Sequence, residues 1–240
     1  MKTVDIVIPV YYGNLKELEP NISKQVEFFR KNMSGYKWRI LIAINGKSAD
    51  EIISLAKGLS RDYKEVSYVY TKTPGKGSGV IAGWENSSAD ILAYMDVDLS
   101  VKLDNFINLV KGIEDGFDIC VGSRYLKESK VRRSLKRRVV SFVYHKILLK
   151  LFLNVKFTDG QCGFKAITNE AAQKILPLVK DRVWFFESEM LYLAEKMGLK
   201  IKEIPVVWEE TDLQSGIKLH KVIPEFIKRV ILLKFRKLSF

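Results

Sequence analysis

The first half of the chain alternates between two hydrophobic periods. Asp5 to Val10 (DIVIPV) is a short run rich in β-branched residues, and Lys16 to Met33 then places Leu18, Ile22, Val26 and Phe29 at helical spacing. The pattern repeats. Trp38 to Ile44 (WRILIAI) reads as a strand ending at Asn45-Gly46, and Asp50 to Leu59 carries Ile52, Ile53, Leu55, Ala56 and Leu59 on a helix period. Val66 to Tyr70, a Gly-rich turn and Val80 to Ser87 form a third unit; Asp90 to Met95 (DILAYM) and Leu103 to Ile113 form a fourth; Phe117 to Val121 is a fifth strand. Strands alternating with helices predict an α/β fold with right-handed crossovers and a mostly parallel central sheet covered on both faces. Ligands of such sheets sit at the carboxyl ends of the strands.

Beyond Ser123 the alternation weakens. The expected elements are a basic loop (Lys127 to Lys136), an amphipathic helix (Arg137 to Leu153), a short strand around Gly163 to Ile167, and helices near Asn169 to Leu176 and Glu187 to Met197. A strand at Ile201 to Trp208 and a terminal helix after Pro224 complete the chain. With no Pro/Gly/Ser linker between the halves, residues 1–240 read as one domain with a first half (1–123), a second half (124–221) and a basic amphipathic terminal helix (222–240).

Composition narrows the picture. The chain has 240 residues, a formal charge of +12, 47% hydrophobic and 28% charged residues, 15 Gly and 6 Pro, which excludes disordered and low-complexity classes. Cys120 and Cys162 lie far apart with only His145 and His220 to assist them, so neither a disulfide framework nor a zinc site is expected, and a reducing, cytoplasmic compartment is the default. The amino terminus MKTVDIVIPV is too soon interrupted for a signal peptide, and the apolar stretches Val139 to Val155 and Val222 to Phe240 are too broken by basic residues to span a bilayer. The charge is concentrated. Arg124 to Lys150 holds ten Lys/Arg against one acid (Glu128), and Lys218 to Phe240 holds seven against one (Glu225), so the remainder is slightly acidic. An anionic partner should therefore meet the chain at two places.

Three motifs carry candidate chemistry. Asp96-Val97-Asp98 follows the fourth apolar run, so both carboxylates should emerge at the carboxyl edge of the sheet, a pairing that suits Mg²⁺ or Mn²⁺ beside substrate phosphate oxygens or arises as a chance surface motif. Pro74-Gly75-Lys76-Gly77-Ser78-Gly79 sits between a strand and a helix; its spacing is not that of a P-loop, and it reads equally as a phosphate-facing turn or a flexible one. Arg124, Arg137 and Arg138, with Ser141, offer guanidinium forks for a phosphate or a solvated basic face. Ser134, Arg138, Ser141 and His145 share one helical stripe, whereas Val139, Val140, Phe142, Val143, Ile147, Leu148, Leu151 and Phe152 form a sector wider than a surface helix buries. Such a helix is either core or lies in a membrane interface, and the basic, aromatic terminal segment has the same character.

Taken in order, IVIPVYY, GKGSGVIAG, YMDVDLS, VGSRY, RRVVSFVY, TDGQCGFKAI, VWFFESEMLYLAEKMGL and IKEIPVVWEE resemble glycosyltransferase family 2, and within it the dolichyl-phosphate glucosyl- and mannosyltransferases. The resemblance implies a GT-A-type nucleotide-sugar-binding fold and an inverting, metal-dependent hexose transfer to a polyprenyl or dolichyl phosphate at the cytoplasmic face of a membrane. It implies donor contacts from Pro9, Tyr11, Asn45, Gly75 and Lys76, a metal held by Asp96 and Asp98 with Ser100 beside it, and catalytic roles for Asp98 and Arg124. It assigns the lipid phosphate to Arg124, Arg137, Arg138 and Ser141, and sugar or base contacts to Gln161, Glu187 and Glu189. Asp159, Cys162 and Lys165 would shape the site. Tyr12-Gly13 and Ile44-Asn45 stand where family members often carry Asn-Glu and paired Asp, which touches nucleobase recognition. Trp184 and Trp208-Glu209-Glu210 rank UDP-glucose ahead of GDP-mannose. The implied partners are the nucleotide sugar, the lipid phosphate and an anionic membrane surface, with room for a separate membrane subunit. Other readings are a family 2 enzyme with another acceptor, a nucleic-acid-binding protein and a nucleotidylyltransferase; the second leaves Asp96-Val97-Asp98 unexplained, and the third lacks its Gly/Arg-rich signature after the first strand.

Overall fold

In the computed structural model, residues 1–47, 50–209 and 219–238 are described, with the side chains of 135–138 and 219–222 outside that description. The β-branched runs form a seven-stranded sheet in the order β3-β2-β1-β4-β7-β5-β8. Its strands are β1 (Thr3–Val10), β2 (Lys37–Asn45), β3 (Val66–Thr71), β4 (Ile91–Met95), β5 (Ile119–Ser123), β7 (Phe164–Thr168) and β8 (Ile201–Pro205). All neighbours pair parallel except β7, which runs antiparallel between β4 and β5. The sheet is thus mostly parallel and mixed, as the alternation predicts. Because β7 runs the other way, its amino end lies at the edge where β1, β4 and β5 finish.

Alternation along β1 divides the core. Val4, Ile6, Ile8 and Val10 pack with Leu18, Ile22, Val26 and Phe29 of α1 (Leu15–Asn32), with α2 (Asp50–Asp62) and with α4 (Phe106–Glu114). Val7, on the opposite face, packs with Val80, Ile81 and Trp84 of α3 (Lys76–Glu85), with α6 (Asn169–Ile175) and with Met190, Leu191 and Leu193 of α7 (Phe186–Lys196). Burial on both faces explains why these strands read as continuous apolar runs.

Three elements differ from expectation. The single strand expected over Ile201 to Trp208 is two, β8 and β9 (Val207–Glu209); Pro205, which cannot donate a ladder hydrogen bond, ends the first, and β9 pairs with β6 (Lys130–Arg132) in a separate ribbon. The helix expected over Arg137 to Leu153 is α5 (Leu135–Val143) continued by a π-helical segment, Tyr144–Leu153, which ends at Asn154 in the left-handed region (φ 56°). The terminal helix α8 (Leu219–Lys234) begins before Pro224 and encloses it, at the expense of one helical hydrogen bond. Val230 and Leu233 bury its inner stripe, each contributing about 1.5–3 kcal/mol.

Candidate active site

The β4–β7 register decides where the first motif lies. Met95 is opposite Phe164, so Asp96 leaves β4 next to Gly163, whose carbonyl accepts the Asp96 N–H at 3.2 Å. A Cβ on Gly163 would stand 2.0 Å from Asp96 Oδ2, so only glycine admits the carboxylate here. After Asp98 the chain turns sharply. Leu99 adopts φ 54°, a sparsely populated conformation for a leucine, and Ser100 N–H then donates to Asp98 Oδ1 at 2.9 Å. The two carboxylates, the bare Gly163 and the hard oxygen donor set fit a small divalent cation; Asp96 and Asp98 are the residues that would hold it, with buried Ser100 fixing Asp98.

A chain of charges runs inward from this edge. Lys76 Nζ bridges Asp96 Oδ1 and Glu187 Oε1, at 2.7 Å each, and Lys165 Nζ meets Glu187 Oε2 at 2.9 Å. Lys165 is fully buried, and it also donates to the Tyr94 hydroxyl and the Cys162 carbonyl. Burial alone would raise the Glu187 carboxyl, but Lys165 and Lys76 outweigh it and hold the group down to about 2. Asp96, open along one side, is pushed up to about 6, first by desolvation and then by Asp98 and Glu187, against the pull of Lys76. Glu187 is therefore an internal counter-ion, not the sugar or base contact the resemblance implies. Glu189 is likewise consumed: Oε2 accepts the Lys180 and Asp181 N–H groups, and Oε1 pairs with Arg236 at 2.7 Å.

The Gly-rich turn also departs from its phosphate-facing reading. The N–H groups of Gly77 and Ser78 donate to the carbonyls of Val183 and Arg182 at 3.0 and 2.8 Å, so the start of α3 is occupied by protein. Gly75, at φ 123°, has no room for a Cβ, which would lie 2.2 Å from the Arg182 carbonyl. Asn45 is buried and fastens the turn: Nδ2 donates to the Val10 carbonyl and Oδ1 accepts the Gly75 N–H, each at 2.9 Å. It thus ties the ends of β1 and β2 to the turn. Pro9 is buried beside Gly79, whereas Tyr11 is 55% exposed above Gly13, at the end of β1.

A second cluster gathers at the ends of β5 and α5. Arg124 reaches Asp159 with Nε and Nη2, at 2.7 and 2.8 Å, and Nη2 also donates to the Gln161 carbonyl. Burial disfavours that guanidinium's charge, but Asp159 more than restores it; reciprocally, Arg124 holds the buried Asp159 carboxyl well below the usual range. Arg124, to which the resemblance assigns the lipid phosphate, is paired here with the Asp159 carboxylate. Ser141 Oγ instead accepts from the Tyr125 hydroxyl at 2.6 Å and from Arg133 Nη1 at 3.0 Å, and the Arg133 guanidinium stands 5.5 Å from the Trp208 ring. His145, buried, lies 3.3 Å from Asp159 through Nε2. Gln161 Nε2 donates to Ser188 Oγ at 2.9 Å, which Tyr144 also reaches. The side chains of Arg137 and Arg138 lie outside the described residues, as do Glu210 and Lys218.

The apolar sector of this helix is not core. Val139, Phe142, Val143, Ile147, Leu151 and Phe152 are exposed along it, α8 exposes Ile223, Ile227, Ile231 and Leu232, and Phe235 just beyond α8 is exposed as well. No described helix is long and apolar enough to cross a membrane.

Comparison with known proteins agrees with this geometry. Residues 5–176 match the family described as Glycosyl transferase family 2. The chain is 30% identical over 208 residues to Glycosyltransferase AglD of Haloferax volcanii, covering 86% of this chain and 33% of that protein. It is 27% identical to the dolichyl-phosphate beta-glucosyltransferase ALG5C of Trichomonas vaginalis (85% and 63% covered) and 28% identical to the Homo sapiens dolichyl-phosphate beta-glucosyltransferase (88% and 68%). The chain thus spans a third to about two thirds of these relatives. Among solved structures, glucosyl-3-phosphoglycerate synthase from Mycobacterium tuberculosis, crystallised with Mn²⁺, UDP and phosphoglyceric acid, superposes with a TM-score of 0.67 at 15% identity, covering 99% of this chain and 80% of that one. With the mixed sheet of the GT-A fold and the family match over most of its length, the chain belongs to glycosyltransferase family 2.

Proposed function

We propose that this glycosyltransferase transfers a hexose from a nucleotide sugar, UDP-glucose ahead of GDP-mannose, to the phosphate of a polyprenyl or dolichyl lipid. One observation carries the reading: the polar cluster around Ser141 opens beside a broad exposed apolar face on the same helix, matching a substrate with an anionic head and an apolar tail. Similarity to dolichyl-phosphate beta-glucosyltransferases supports the donor and the acceptor. Residues 1–123 form the donor half and 124–221 the acceptor half, and the apolar faces of α5 and α8, flanked by Lys and Arg, seat the enzyme on the cytoplasmic face of an anionic membrane.

The reaction needs no dedicated base. A phosphomonoester has a second pKa of about 6, so the acceptor is already an anionic nucleophile at neutral pH. Glu187, committed to two ammonium groups, has no free basicity to offer, in keeping with that economy. What the protein contributes is alignment: Tyr11 covers the donor end, Lys76 stands at the diphosphate position, and the Ser141 cluster holds the acceptor in line with the anomeric carbon. A divalent ion at Asp96 and Asp98, such as the Mn²⁺ of the structural neighbour, would supply charge neutralisation for the departing nucleoside diphosphate. Single displacement inverts an α-linked donor to a β-linked product. The test is a panel of labelled UDP- and GDP-sugars with polyprenyl phosphate, with and without EDTA. Metal-dependent lipid-linked product from UDP-glucose is expected, and the absence of lipid-linked product from every pairing would sink the proposal.

A further inference from the structure

Lys76 is fixed at both ends. It opens α3, and the N–H groups of the next two residues, Gly77 and Ser78, are held by the Val183 and Arg182 carbonyls, which sets where its side chain starts. At the far end Nζ lies 2.7 Å from both Asp96 Oδ1 and Glu187 Oε1, with the Tyr94 ring 5.4 Å and the Trp184 ring 5.9 Å away. Glu187 is itself immobilised, since its other oxygen meets the fully buried Lys165. The Lys76 side chain is only 10% exposed, whereas that of Asp96 is 38% exposed. The first carboxylate of Asp96-Val97-Asp98 thus already carries a cation, and that cation belongs to the chain.

Charge decides what this arrangement does. Asp96, Glu187, Lys76 and Lys165 bring two carboxylates and two ammonium groups together, so the quartet is balanced as it stands. A divalent cation arriving at Asp96 and Asp98 meets an ammonium bonded to Asp96 Oδ1, while Oδ2 lies against Gly163. It must displace the ammonium or share the carboxylate with it, and like-charge repulsion at short range opposes either course. A nucleoside diphosphate relieves the conflict, because its oxygens can take both the divalent ion and the ammonium. We propose that Lys76 is a resident cation that competes with the divalent ion for Asp96, so that the metal binds firmly only together with a nucleoside diphosphate. This task rests on the divalent ion and the nucleotide-sugar donor proposed above, and it is distinct from any contact Lys76 makes with the donor. It keeps the donor-free enzyme from holding an ion at Asp96, and metal and nucleotide then enter as a pair.

The experiment titrates Mn²⁺, followed by the paramagnetic resonance of the free ion, into the intact protein and its Lys76→Met, Lys76→Gln, Lys72→Met and Asp98→Ala variants, each with and without UDP. Without UDP, Lys76→Met should bind Mn²⁺ about tenfold or more tightly than the parent, as removal of a like charge at this range requires. Lys76→Gln, whose amide can still donate to Glu187, should gain likewise and carries the test should the methionine variant fold poorly. With UDP the gain should shrink or reverse, so the factor by which UDP tightens Mn²⁺ falls about tenfold or more. Exposed Lys72→Met removes the same formal charge from the segment before the turn and should bind as the parent does. A variant that was merely loosened would bind Mn²⁺ more weakly, not more tightly. Unaltered or weaker Mn²⁺ binding in a folded Lys76 variant, a gain equally large with UDP, or an equal gain in Lys72→Met would overturn the inference. Asp98→Ala separates this failure from that of the metal position. Loss of Mn²⁺ binding there with no gain in either Lys76 variant removes only the task given to Lys76, whereas parental Mn²⁺ binding in Asp98→Ala places the ion elsewhere and overturns both.

Discussion

Single residues bear the site's sharpest constraints. Asp98→Ala removes one of the two carboxylates at the β4 edge, and turnover is expected to fall at least about a hundredfold with an unchanged unfolding midpoint. Gly163→Ala presses a methyl group against Asp96, so it should lower activity and cost about 1–3 kcal/mol of stability by denaturant titration. Lys165→Met strands Glu187 with one ammonium partner instead of two; a loss of about 3–5 kcal/mol is expected, and a loss below about 1 kcal/mol would contradict the buried network. Asp159 gives a pH signature. Its carboxyl is held below its unfolded value, so the stability it confers is complete above about pH 4 and is lost as the pH falls further. Thermal melts of Asp159→Asn should be lower at neutral pH and flatter in acid than those of the parent. Asp96 and Asp98 were legible in the sequence because an apolar run ended on them. The contacts of Gly163 with Asp96 and of Lys165 with Glu187 were not legible there, because the strand register, not local spacing, sets them.

Whole elements were legible wherever burial imposed a period. β1 to β5 and α1 to α4 fall close to where alternation and helical spacing place them. The second half was harder to read, since its segments answer to tertiary partners. The π-helical turn after Val143 buries Tyr144 and His145, and it joins Tyr144 to Ser188 and His145 to Asp159. The outer face of the same helix stays apolar and exposed. Phe142→Glu and Leu151→Glu should therefore fold normally yet lose flotation with anionic liposomes, and unaltered flotation would argue that this face does not meet the membrane. The carboxyl-terminal helix is fastened differently. Arg229 of α8 lies 3.4 Å from Asp181, next to the Arg182 carbonyl that holds the start of α3, and Arg236, just past α8, pairs with Glu189 of α7 at 2.7 Å.

At the scale of the molecule, charge and shape agree. The excess of basic residues lies on the two segments that also expose apolar surface, and the carboxyl edge of the sheet brings the Asp96 and Ser141 clusters to neighbouring positions. The α/β class was legible in strand and helix order, and the family in the motifs at strand ends. The pairing of Arg124 with buried Asp159 was not legible in the sequence, because residues 35 positions apart meet only in the fold. The most direct measurement offers labelled UDP-glucose to the enzyme with dolichyl phosphate, unphosphorylated dolichol and 3-phosphoglycerate in parallel. Label entering the organic phase only with dolichyl phosphate, as a β-linked glucosyl phosphodiester, is the expected result; label passing to 3-phosphoglycerate or to dolichol while dolichyl phosphate stays unlabelled would contradict it.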